Sequence, residues 1–162
     1  METEKAIFAS GCFWGTQYHF DKHDGVVNTL VGYTGGTVEN PTYEQVCQGN
    51  TGHREAIEIE FDPEVTSYED LVKLFFETHD PTQTNGQGPD IGEQYTSAIY
   101  YTNEKQKEVA ENLLGKLEEK GITVTTEVLP AEPFYPAEDY HQKYYEKSGG
   151  APYCHVYIKR FD

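Results

Sequence analysis

Apolar positions along the chain recur in two rhythms, one of period two and one near 3.6 residues. The run Ala6-Ile7-Phe8-Ala9, broken by Ser10-Gly11, predicts a short buried strand, and the spacing after it predicts a helix over 12–23. Residues 26–31 read as a second strand closed by Gly32 and Gly35-Gly36, and 42–47 as one or two helical turns. The clearest alternation lies over 53–61: Glu55, Ile57, Ile59 and Phe61 share one face, while Glu58 and Glu60 take the other. Asp62-Pro63 stops that strand. Ser67, with Asp70 three residues on, resembles a capping box ahead of a helix with Leu71, Leu74 and Phe75 on one face.

The segment 80–94 is rich in Pro, Gly and Asn and predicts a loop; 95–101 predicts a strand. Asn103 can cap a helix in which Val109, Leu113 and Leu117 recur at spacing four and which Gly121 ends. A further strand is expected over 122–129. Prolines at 130, 133 and 136 stiffen the connection to a short helix over about 137–147. Ser148-Gly149-Gly150 then opens a flexible, coil-rich tail, 148–162, that holds Cys154. No repeat or linker interrupts this order. It predicts one domain over 1–162, an α/β (α+β) two-layer sandwich with helices flanking a mixed sheet.

Composition narrows the function. A chain of 162 residues fits one domain with a sizeable core. Its 13 tyrosines suit polar pockets as well as cores. With 12 basic and 28 acidic side chains, the formal charge of −16 repels phosphate backbones and anionic membranes, so no nucleic acid or membrane partner is expected. The apolar run 6–9 is too short for a signal sequence and no stretch is long enough to cross a bilayer. A cytoplasmic monomer is expected. Three cysteines without a CxxC pair give neither a disulfide framework nor a zinc site, so no metal is expected. Thiol chemistry or simple packing remains.

Cys12 is the candidate nucleophile. It falls after a buried strand at the first turn of a predicted helix, where unpaired amides favour an anion and lower a thiol pKa from about 8.5. A buried cysteine in an aromatic core is an equal reading from position alone. The string Gly11-Cys12-Phe13-Trp14-Gly15 resembles the active-site signature of the peptide methionine sulfoxide reductase A family. The resemblance continues through Val31-Gly32-Tyr33-Thr34-Gly35-Gly36, Asn40-Pro41-Thr42-Tyr43 and Gly52-His53-Arg54-Glu55-Ala56. It resumes at Asp90-Ile91-Gly92, Gln94-Tyr95 and Ala137-Glu138-Asp139-Tyr140-His141-Gln142, and so covers most of the chain.

The resemblance implies reduction of methionine S-sulfoxide, in which the Cys12 thiolate attacks the sulfoxide sulfur and becomes a sulfenic acid. It implies Glu55 as the acid that protonates the departing oxygen. Strand parity independently turns Glu55 toward the apolar face, where burial raises a carboxyl pKa. A Glu55 at the strand's edge, paired with Arg54 or a lysine in solvent, is the competing reading from the residues alone. Tyr43, Tyr95 and Asp90 match the family's pocket residues, and Phe13 and Trp14 its walls for the S-methyl group. Cys154 matches a resolving cysteine, and thioredoxin, or dithiothreitol in vitro, is the implied reductant, with no bound cofactor. The fold is expected to be related to ferredoxin-like folds. Cys47 is expected to be held in the core by its helix, for packing only. The chain departs from the family at Asn85-Gly86-Gln87-Gly88-Pro89-Asp90 and at Thr96, where relatives commonly carry arginine. A cysteine hydrolase using His53 or His141, and a thiol redox sensor or binding module, are the rival readings.

Overall fold

The structure, a computed structural model, describes residues 2–49, 51–87, 90–144 and 160–161. In chain order its elements are β1 (Glu4–Ser10), α1 (Phe13–Asp21), β2 (Val26–Thr34), α2 (Tyr43–Cys47), β3 (Arg54–Phe61) and α3 (Tyr68–Glu77). The two-residue strands β4 (Gly86–Gln87) and β5 (Asp90–Ile91) follow, then β6 (Ser97–Tyr101), α4 (Glu104–Glu119), β7 (Glu127–Pro130) and β8 (Phe134–Pro136). The caps read from sequence are formed. The Ser67 side chain accepts from the Asp70 amide and Asn103 from Gln106; a further cap, unforeseen, is the capping box that Thr42 and Gln45 close on α2.

Four strands, in the order β6-β1-β3-β2, run antiparallel, as in ferredoxin-like folds. β7 adds parallel to β6 and β8 antiparallel to β2, which makes the six-stranded sheet mixed. One face carries the core. Phe8, Val31, Ile57, Ile59, Phe61 and Ile99 pack there against Phe20 of α1, Leu71 and Phe75 of α3, and Leu113 and Leu117 of α4. The opposite face buries only a small cluster around Ile7, Ala9, Ala56, Ala98 and Tyr100, joined by Leu129 and Phe134. The two-layer sandwich is therefore lopsided.

Several boundaries differ from expectation. β2 runs on to Thr34 through Gly32, because that glycine is where β8 crosses close; a Cβ there would collide with the Tyr135 carbonyl oxygen. β8 lies within the stretch stiffened by proline. As an edge strand it tolerates residues that cannot donate to a ladder. β7 begins only at Glu127. Ahead of it the Thr125 amide donates to the Pro81 carbonyl at 2.7 Å and Thr126 bonds Ser97 at 2.7 Å, so these residues hold the neighbouring loop instead of a strand. Tyr95 belongs to a 3-10 turn, Glu93–Tyr95, rather than to β6. Of the helix expected over 137–147, the stretch 137–143 is instead a 3-10 turn at Asp139–His141 with Lys143 at φ 56°; Tyr144 is helical and 145–147 lie outside the described residues. The far end of the tail is fastened: the Arg160 and Phe161 amides donate to Glu77 at 2.9 and 3.2 Å, and Phe161 is buried. Cys154 lies outside the described residues.

Candidate active site

Gly11, at φ 96°, lets the chain turn from β1 directly into α1. Cys12 occupies the cap position of that helix, and its carbonyl accepts from the Gly15 and Thr16 amides at 3.2 and 3.3 Å. The residue is buried, 7% exposed, at the N-terminal end of that helix. Glu55 comes to the same helix end from β3, where it pairs with Tyr33 of β2. Its Oε1 accepts from the Phe13 amide at 3.3 Å, and its Oε2 is buried without a hydrogen-bond partner. Burial pushes the Glu55 carboxyl up to about 8, the Phe13 amide and the Tyr95 hydroxyl oppose that rise, and the charge of Asp90 adds to it. The Tyr95 hydroxyl thus lies near Glu55 without forming a well-made hydrogen bond to Oε2.

Tyr43 opens α2 and Tyr95 ends the 3-10 turn after β5. Both phenols are held well above their ordinary pKa, first by burial and then by the neighbouring Glu55 charge, so they stay protonated donors. Asp90 starts β5, in the small hairpin that pairs Gln87 with Asp90. Five sequence-selected residues, Cys12, Glu55, Tyr43, Tyr95 and Asp90, thereby meet around one helix end. Phe13 is almost wholly buried, packed against Tyr33 and His141, whereas Trp14 is half-buried and offers a face.

Cys47 corrects an expectation. It is exposed, because Val46 takes the buried position of the short helix α2 and the next residue turns away. His53 and His141 hydrogen-bond to groups other than a thiol. His53 engages the Gly36 amide and the Val38 carbonyl, while His141 Nδ1 accepts from Trp14 and Nε2 has no partner. Three residues of the sequence motifs have structural roles that the motifs do not reveal. Glu138 accepts from the Tyr33 hydroxyl at 3.0 Å and the Tyr43 amide at 3.2 Å. Gln142 grips both backbone groups of Val31, and His141 holds Trp14. Pairwise contacts of this kind have no periodicity to reveal them. A groove of about 260 Å³ lies beside Trp14, lined by Tyr18, Lys22, Lys143 and Tyr144 among others.

A thiol, a carboxyl held protonated by burial and two phenolic donors are together able to attack a substrate and deliver a proton to its oxygen. The family profile described as peptide methionine sulfoxide reductase matches residues 4–162. The chain is 52% identical over 150 residues to peptide methionine sulfoxide reductase MsrA of Nautilia profundicola, covering 93% of this chain and 87% of that protein. To the MsrA of Methanosarcina acetivorans it is 53% identical, covering 90% and 79%. Among solved structures, reduced Mxr1 of Saccharomyces cerevisiae superposes with a TM-score of 0.89 at 32% identity, over 96% of this chain and 92% of that one. Methionine sulfoxide reductase A of Corynebacterium diphtheriae gives 0.82 at 40% identity, over 91% and 76%. The chain belongs to the peptide methionine sulfoxide reductase family.

Proposed function

We propose that the protein reduces methionine S-sulfoxide, in proteins and peptides and as the free amino acid, with Cys12 as nucleophile. The observation that carries this reading is the buried Glu55 carboxyl, pushed up to about 8, hydrogen-bonded to the amide that follows Cys12. The helix end favours the Cys12 thiolate. The thiolate attacks the sulfoxide sulfur while Glu55 gives its proton to the oxygen, and Tyr43 and Tyr95 donate hydrogen bonds to that oxygen as charge gathers on it. The S–O bond to methionine breaks, the hydroxyl passes to Cys12, and methionine leaves. The sulfoxide is reduced by two electrons and Cys12 is oxidised to sulfenic acid.

Asp90 supports the proton on Glu55 through its charge, and Trp14 with Phe13 walls the S-methyl group. The Cys154 thiol then attacks the Cys12 sulfenic acid, releasing water and leaving a Cys12–Cys154 disulfide. Thioredoxin, or dithiothreitol in vitro, returns both thiols by exchange, and no bound cofactor takes part. The Cys154 step rests on the likeness of Pro152-Tyr153-Cys154 to the family's C-terminal cysteine setting. Among the described residues no helix is long and apolar enough to cross a membrane. We place the action on oxidised proteins in the cytoplasm, by a monomer.

The test is an assay on the separate S- and R-epimers of a blocked methionine sulfoxide. The S-epimer alone is expected to be consumed, with either reductant; no consumption of either epimer overturns the reading. Cys154→Ser is expected to release one methionine per protein and then stop with thioredoxin. Sustained thioredoxin-driven turnover in that variant sinks the assignment of Cys154.

A further inference from the structure

We propose that His141 is a positioning residue for this reaction: its neutral imidazole fixes the Trp14 indole beside Cys12 by accepting the indole N–H. The proposal rests on the reading of Trp14 as a wall of the sulfoxide site. Trp14 is the chain's single tryptophan and the second residue of α1. Its ring stacks on Tyr144 with centroids 3.9 Å apart and planes within 10°. Stacking sets the height and tilt of a ring but leaves it free to turn within its own plane. The bond from Trp14 Nε1 to His141 Nδ1, at 3.0 Å, removes that freedom. Together the two contacts define where the open edge of the indole stands.

His141 is itself well anchored. It ends the 3-10 turn Asp139–His141. On one side of the turn Glu138 takes the Tyr33 hydroxyl and the Tyr43 amide. On the other, the Gln142 side chain bonds the Val31 amide and carbonyl at 3.1 and 2.9 Å. Trp14 is thus tied, through His141, to the central sheet rather than to its own helix alone.

Packing does not account for an imidazole here. The His141 ring lies among Phe13, Tyr43 and Tyr140, with centroids 5.2, 4.4 and 4.1 Å away. A phenyl ring would fill such a cage. An indole N–H only donates, so Nδ1 must be the acceptor, and the ring's proton sits on Nε2. Among the described residues that Nε2 is buried without a partner, which is destabilising. A residue chosen for burial alone would avoid that cost; the one thing the imidazole provides is the acceptor for Trp14.

The same tautomer makes the latch sensitive to acid. Protonation places a hydrogen on Nδ1 and breaks the bond to the indole. Of the described groups around the ring, Glu138 favours protonation; Tyr43 from α2, Tyr140 from the turn itself and Trp14 from α1 bring no charge. Burial outweighs Glu138 and holds His141 below its ordinary 6.5, so the latch stays closed at neutral pH and opens only in acid.

The experiment uses the emission of Trp14, which reports the latch without any turnover, alongside steady-state kinetics on a peptide methionine sulfoxide. His141→Phe removes the acceptor; His141→Asn keeps an oxygen where Nδ1 stands but cannot titrate. The wild-type emission is expected to change as pH falls, with a midpoint below 6.5, and the Asn variant is expected to lack that step. The Phe variant is expected to show the acid-type emission at neutral pH and a KM raised roughly 2- to 10-fold, with kcat changed less, while Asn restores KM. Identical acid transitions in wild type and the Asn variant overturn the proposal, as does a Phe variant with unaltered emission and KM. If none of the proteins reduces sulfoxide, the proposed function fails, yet the emission still decides whether His141 holds Trp14.

Discussion

Arg54 and Glu55 are neighbours on β3 and face opposite sides of the sheet. On the thin side, the Arg54 guanidinium is fully engaged: Nε donates to Thr96 at 2.8 Å, one terminal nitrogen to the Tyr100 hydroxyl at 2.9 Å, and the other pairs with Glu127 at 3.3 Å. On the core side, Glu55 has one amide and an orphan oxygen. A cation with three partners is a fastening. A carboxyl 1% exposed and without a cation beside it is held protonated by burial, the condition that the proposed proton donor needs. The difference between structural and chemical use of charge is set by partners, and strand parity decides which side each residue meets.

Three experiments try that contrast, in order of effect. Replacing the reagent should cost most. Glu55→Gln keeps the shape but cannot give a proton, and should slow reduction by roughly 10²–10⁴-fold. Wild-type activity should also decline as pH rises past about 8, while the variant's residual rate should lack that limb. A variant within a few fold of wild type would remove Glu55 as the acid.

The second concerns stability. The folded carboxyl, near 8, holds its proton longer than the unfolded one, near 4.5. The unfolded state therefore binds fewer protons between these values, so this group's contribution is intact below 4.5 and is lost as pH rises through 8. Glu55→Gln escapes the loss. Its stability relative to wild type should rise across that window by an amount on the order of 2–5 kcal/mol, measured by urea unfolding. A constant difference would mean that Glu55 is ionised in the folded protein.

The fastening should show the smallest effect and the opposite pattern. Arg54→Met should destabilise by roughly 1–3 kcal/mol, since it strands the buried Tyr100 hydroxyl, and should leave kcat within a few fold. A large loss of kcat at unchanged stability would place Arg54 in the chemistry.

Much of this was legible in the sequence, for identifiable reasons. Period-two alternation over 53–61 put Glu55 on the apolar face, and side-chain caps at Ser67 and Asn103 marked the helices. Motifs named the residues that gather at Cys12. What escaped has no local signature. β8 was hidden by its prolines and exists only because Gly32 gives it room. β7 was overextended because a β-rich run, 122–129, meets a partner strand only from Glu127. Cys47 was taken as a core residue because its neighbour Val46 carries the apolar position. The roles of Glu138, His141 and Gln142 depend on contacts across roughly a hundred residues of chain and needed the coordinates.

The most direct measurement is the protonation state of Glu55 itself, read by infrared difference spectroscopy between wild type and Glu55→Gln over a pH series. A protonated carboxyl is expected at neutral pH in the wild type only, disappearing with a midpoint near 8. A carboxylate already ionised at pH 6, well below that midpoint, would contradict the assignment of Glu55 as the proton donor beside Cys12.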